Sequence, residues 1–167
     1  FDKVVAAVPT LVSRGCDAHV ALIGIGEQMD ELKVLAAQLG VADRVHFLGH
    51  VSPDDLPRWY NACDVFAMPN REIDGDTEGF GMVFLEAGAC GKPCIAGRAG
   101  GTGSAVVDGV TGLRVDGTAQ VEVTAALARL LDDAPFAQAM GQAAHERAIA
   151  THSWQNVADQ TAAMTLD

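Results

Sequence analysis

The nine residues Glu78-Gly79-Phe80-Gly81-Met82-Val83-Phe84-Leu85-Glu86 join a two-glycine turn to an apolar helical run, with a carboxylate at each end. A helix N-terminus presents unpaired backbone N–H groups and the positive end of the macrodipole, so it holds a phosphate without any basic side chain. Gly79 and Gly81 let a ligand approach that backbone closely. At a rise of ~1.5 Å per residue, Glu86 stands about 7 to 8 Å beyond Gly81, which suits a ribose whose diphosphate rests on the amides. The segment therefore reads as a site for a nucleotide diphosphate, with the amides from Gly79 through Phe80, Gly81 and Met82 to Val83 facing the phosphates. The plainer alternative is a strand-to-helix turn whose acidic residues complement the dipole of their own helix.

Outward from this segment, short apolar runs alternate with helical patterns, the signature of parallel βαβ units. Strands read at 18–24, 45–49, 64–69, 93–97 and 112–115. Leu32, Leu35, Ala36 and Leu39 recur at helical spacing, and Gly40 supplies the stop. Ser52-Pro53-Asp54-Asp55 opens a helix with a capping hydroxyl, a proline at the first position and acids in the first turn. Thr118 and Ser153 read as caps for helices over 119–131 and 154–164, and a helix over 1–14 carries Val4, Val8, Leu11 and Val12 on one side. The expected fold class is α/β, a doubly wound, mostly parallel and Rossmann-like sheet with helices on both faces.

A chain of 167 residues, 49% hydrophobic, buries one substantial core and reads as one domain. Its net charge of −11 excludes a nucleic-acid surface, which needs clustered Lys and Arg, and disfavours an anionic membrane as a partner. A phosphate ligand stays compatible, because helix-terminal amides act locally. There is no run of eighteen apolar residues and no export signal pattern, so the expectation is a soluble, cytoplasmic protein. The four cysteines, Cys16, Cys63, Cys90 and Cys94, form neither a Cys-x-x-Cys pair nor a zinc spacing with the five histidines. Cys63, Cys90 and Cys94 lie in apolar surroundings, and the cysteines read as structural thiols in a reducing compartment.

Other motifs weigh less. Gly24-x-Gly26 follows a strand as a dinucleotide fingerprint does, but Met29 occupies the third glycine position and is too large for it. Asp74-Gly75-Asp76 has a cation-binding spacing, yet it lies in a polar stretch that reads as a solvated loop. Ser104 lacks the flanking glycines of a nucleophile elbow, leaving Gly100 to Ser104 a turn that positions backbone. The histidines do not cluster in sequence, and none is placed as a general base; His50, at the end of a strand, is the least plain of them.

Residues 64–97, DVFAMPNREIDGDTEGFGMVFLEAGACGKPCIAG, followed by Gly100-Gly101 and by VVDGVTGLRV at 106–115, resemble the donor-binding domain of family-4 retaining glycosyltransferases of the GT-B fold. Their Glu-x7-Glu signature falls on Glu78 and Glu86. The resemblance implies that residues 1–167 are the nucleotide-sugar-binding half of a two-domain enzyme. The donor would be UDP- or GDP-linked, with no metal or other cofactor, and the acceptor-binding partner domain would precede this one. Glu78 becomes the catalytic-site acceptor for hydroxyls of the donor sugar, and Glu86 the acceptor for the ribose diol. Backbone at Gly24, Gly49 and Val51 becomes contacts to the phosphate or sugar and to the base.

Two departures qualify the likeness. The family usually carries an acidic residue at the position of Ser104, and it has a strand and a basic, diphosphate-holding loop ahead of the first helix. The sequence accordingly reads as a piece of a larger enzyme that binds donor weakly and transfers nothing by itself. Competing readings are a sugar-nucleotide epimerase of the same architecture and a non-catalytic nucleotide-sugar-binding module. A phosphorylase ranks lower, because Lys3, Lys33 and Lys92 offer no anchor for its cofactor.

Overall fold

The computed structural model describes residues 1–164. Its strands are β1 (Val20–Ile23), β2 (Val45–Gly49), β3 (Phe66–Met68), β4 (Cys94–Gly97) and β5 (Gly112–Val115). The helices are α1 (Asp2–Ser13), α2 (Met29–Gln38), α3 (Leu56–Ala62), α4 (Met82–Ala89), α5 (Gln120–Asp132), α6 (Ala134–His152) and α7 (Trp154–Met164). All named strand pairs are parallel, as crossovers rather than hairpins require. β2 and β5 have their expected bounds, whereas β1, β3 and β4 are shorter, because only residues engaged in a ladder belong to the strand.

The strands form two sheets where the sequence suggests one: β1 pairs with β2, and β4 lies between β3 and β5. Among the described residues no strand joins β1 to β3. Helices nonetheless cover both faces. All four residues of β4 are buried, and they alternate. Ile95 packs with residues of α1, α5 and α6, while Cys94 and Ala96 pack with Tyr60 of α3 and with Phe84 and Ala87 of α4. That alternation is the period of a strand covered on both sides.

α1 straddles the two sheets. Val4, Ala7 and Leu11 enter the core of β4, β5 and α5, while Val5 and Val8 enter that of β1, β2 and α2. Its apolar face is therefore wider than the four expected residues, and Val12 is only partly buried.

Two helix starts differ from expectation. α3 begins at Leu56 rather than near Pro53, because Ser52 Oγ closes a preceding turn by accepting from Asp55 N at 3.2 Å and donating to Asp55 Oδ2 at 2.8 Å. Pro57, which lacks an N–H, then occupies the first turn of the helix. Thr118 does not cap α5; its N–H and hydroxyl donate to Asp116 Oδ1 at 2.8 and 2.7 Å, so Asp116 organises the approach. Ser153 caps α7 as expected, accepting from Asn156 N at 3.3 Å. No helix among the described residues is long and apolar enough to cross a membrane.

Candidate functional site

The polar stretch after β3 leads through Glu78 and the glycine turn into α4, whose first residue is Met82. No side chain caps this helix. Glu78 Oε1 accepts from Phe80 N at 3.4 Å, a long and weak contact. Phe80 and Met82 are exposed, Val83 is partly buried, and the Phe80 ring lies 6.1 Å from that of His152. The two glycines differ in kind. Gly81 is buried in the left-handed region at φ 85°, and a Cβ on it would stand 2.5 Å from the Phe84 ring. The chain's own packing therefore demands glycine at 81, whether or not a ligand approaches there. Gly79 is exposed, with open space where a Cβ would sit.

Gly100 and Gly101 brace this loop from beneath. Gly101 N donates to Glu78 O at 2.9 Å. A Cβ on Gly100 would stand 2.1 Å from Glu78 O, and one on Gly101 1.8 Å from Gly79 O. The backbone-positioning role read for this turn is thus exerted on the candidate site itself. Asn70, which the sequence reading passed over, fixes the strand end below: its Nδ2 donates to Ala99 O at 2.8 Å and its Oδ1 accepts from Gly97 N at 2.9 Å. Ser104 contributes its carbonyl, which accepts from Arg147 Nη2 of α6 at 2.8 Å.

Glu86 projects from the exposed side of α4 and accepts from Tyr60 Oη at 2.8 Å through Oε2. Burial first, and then the Glu86 carboxylate, push the Tyr60 phenol well above its ordinary range. The only signal for Tyr60 in the sequence is that it is the chain's lone tyrosine, and nothing there links it to a residue twenty-six positions on.

The remaining predicted residues fall elsewhere. Gly24 N donates to Gly49 O at 2.8 Å, joining the ends of β1 and β2. Val51 lines an open hollow of about 480 Å³ with His50, Asp55, Arg58 and Trp59. Glu86 is not among the residues that line this hollow. Asp74 and Gly75, at φ 52° and 83°, form the tip of a tight hairpin in which Ile73 and Asp76 exchange backbone hydrogen bonds. Turn chemistry alone accounts for the Asp-Gly pair. The histidines do not cluster along the chain, yet the β1–β2 pairing stacks His19 on His46 at 5.3 Å, with Nδ1 and Nε2 3.0 Å apart. Burial raises the thiols of Cys63, Cys90 and Cys94, which makes them poor nucleophiles.

Parallel strands covered by helices on both sides, with a braced glycine turn leading into an uncapped helix, define a Rossmann-like α/β domain. The chain matches the family model described as glycosyl transferases group 1 over residues 1–147, and it belongs to that family. It is 42% identical over 163 residues to a GDP-mannose-dependent alpha-(1-6)-phosphatidylinositol monomannoside mannosyltransferase of Mycobacterium tuberculosis, a match covering 96% of this chain and 42% of that protein. The Mycolicibacterium smegmatis enzyme of the same name is 41% identical over 156 residues, covering 92% of this chain and 41% of its own. The chain thus spans about two fifths of the length of these relatives.

Among solved structures, sucrose-phosphate synthase from Thermosynechococcus elongatus superposes with a TM-score of 0.84 at 27% identity, over 98% of this chain and 41% of that one. Anabaena HepE in complex with UDP-glucose superposes at 0.81 and 28% identity, over 98% and 44%. These GT-B neighbours share the Rossmann-like arrangement of parallel strands and covering helices.

Proposed function

We propose that this chain is the donor-binding domain of a retaining, metal-independent glycosyltransferase that moves a sugar from a nucleotide-diphosphate sugar to an acceptor held by a second, preceding domain. The observation that carries the reading is the uncapped start of α4 behind a glycine turn that Gly100 and Gly101 hold in place. GDP-mannose is the first donor to test, since relatives above 40% identity are described as GDP-mannose-dependent; UDP is the second, since HepE is described in complex with it. The four cysteines are all free thiols, which fits a reducing, cytoplasmic setting.

The chemistry follows from charge. Departure of the sugar builds oxocarbenium character on carbon and negative charge on the leaving diphosphate. Preorganised N–H donors aimed at that charge lower the barrier without reorganising during the reaction. The amides of Gly79–Val83 serve this purpose, and the weak contact from Phe80 N to Glu78 costs little to exchange for a ligand oxygen. Glu78 accepts from hydroxyls of the donor sugar and fixes its orientation. Glu86 accepts from the ribose diol. Both carboxylates act as acceptors, a division of labour unlike the acid and nucleophile of a glycosidase, which must flank one scissile bond.

Calorimetry with GDP and UDP tests the assignment. Glu86→Ala should raise the Kd of the bound nucleotide severalfold, and unchanged affinity in that variant would remove the ribose role.

A further inference from the structure

Tyr60 is 7% exposed and takes no part in the chemistry above. Its ring stands edge-on to Phe66 at 5.5 Å, and Phe66 stands edge-on to Phe84 at 5.7 Å, so α3, β3 and α4 each contribute one ring to an interlocked group. The ring alone would satisfy that packing; the hydroxyl is the part the core does not need. A phenol carried to the edge of such a cluster requires a polar partner, and the one it has is the Oε2 atom of Glu86. Glu86 itself lies on the exposed side of α4, where an untethered glutamate samples several rotamers and loses that freedom on binding.

We propose that Tyr60 is a positioning residue for the nucleotide site: its hydroxyl, held rigid by Phe66 and Phe84, tethers Oε2 of Glu86 and leaves the other acceptor positions of the carboxylate directed at the ribose diol. The inference rests on the reading of Glu86 as the ribose acceptor. A carboxylate ordered before the ligand arrives gives up less entropy when it binds. Its donor survives across the working range, because burial and then the neighbouring carboxylate keep the phenol protonated to high pH. The tether therefore adds affinity for a ribose with both hydroxyls, and none for one without them.

Full-length enzyme, titrated calorimetrically with whichever of GDP and UDP binds more tightly and with the dideoxy analogue lacking both ribose hydroxyls, separates the possibilities. Tyr60→Phe should raise the Kd of the natural nucleotide about three- to tenfold, as expected for one charge-assisted hydrogen bond and its ordering effect. It should leave the Kd of the dideoxy analogue unchanged, and raise KM for the donor sugar nucleotide more than it lowers kcat. In the Glu86→Gln background, Tyr60→Phe should add no further loss. A Tyr60→Phe variant that weakens both nucleotides equally, or neither, overturns the positioning role while leaving Glu86 in place. Should Glu86→Gln itself bind natural and dideoxy nucleotides with an undiminished preference for the former, the ribose assignment fails, and the proposal for Tyr60 with it. A thermal melt of Tyr60→Phe, expected close to the wild type because the ring is retained, guards against a purely structural loss.

Discussion

Gly79 and Gly81 lie two residues apart, yet replacing each with alanine perturbs different things. At Gly81 the new methyl meets both a left-handed backbone and the Phe84 ring 2.5 Å away, so Gly81→Ala should destabilise the domain by about 2 to 4 kcal/mol in urea unfolding. At Gly79 the methyl meets open space, and the backbone is not left-handed. Gly79→Ala should therefore leave stability within about 1 kcal/mol while reducing nucleotide affinity, since the methyl stands where a phosphate would approach. Equal destabilisation by the two variants would refute this division. A second residue-scale effect concerns Asp2. Burial draws its carboxyl upward, but the Arg71 hydrogen bond at 2.8 Å and the guanidinium charge outweigh it and hold the pKa below the ordinary 3.8. A depressed folded-state pKa contributes stability that is present above the unfolded value and lost as pH falls through the folded one. The stability gap between wild type and Asp2→Asn should thus be fully open at about pH 6 and narrow progressively as the pH falls below the ordinary 3.8, as chemical unfolding across that range would report.

Elements were legible wherever a local signal sufficed. Alternation and flanking glycines located every strand, β2 and β5 to the residue, and Ser153 marked the start of α7 through its own hydroxyl. Errors arose where two local signals competed. Ser52-Pro53 and Pro57 both look like helix starts, and the Ser52 hydroxyl turned out to close a turn with Asp55. Asp116 outbid Thr118 because a carboxylate two residues earlier accepts from both the N–H and the hydroxyl of the threonine. Within the candidate site, the loop and its carboxylates were readable from the segment 78–86, but their supports were not. Asn70, Gly101 and Tyr60 act across sequence separations that no spacing rule encodes. Asn70 makes the point testable, since its two bonds stitch the end of β3 to the strand that carries the bracing turn. Asn70→Asp keeps an acceptor for Gly97 N and loses the donor to Ala99 O. It should cost about 1 to 3 kcal/mol in unfolding free energy and weaken nucleotide binding in parallel. Retention of full affinity would separate this strand end from the site.

On the scale of the whole molecule, the arrangement turns on α1. Among the described residues the two sheets share no ladder, so what unites them is side-chain packing: α1 sends Val4, Ala7 and Leu11 into one core and Val5 and Val8 into the other, and Val20 of β1 packs against both. Hydrophobic burial is non-directional, which lets one helix serve two cores at once provided its apolar face is wide enough. The consequence is cooperativity without a continuous sheet. Val8 is fully buried, and its cluster contains no residue of β3, β4 or β5. Val8→Ala should therefore cost about 1 to 3 kcal/mol by opening a cavity beside β1 and β2. If α1 locks the halves together, native-state hydrogen exchange should show slowest-exchanging amides of Cys94–Gly97 losing protection by the same free energy, although nothing they touch has changed. Protection lost in β1 and β2 alone would mean that the halves open independently. In that case the turn after β3 and the ends of β1 and β2 would not be held in fixed relation, and a nucleotide contacting both would have to order them as it bound.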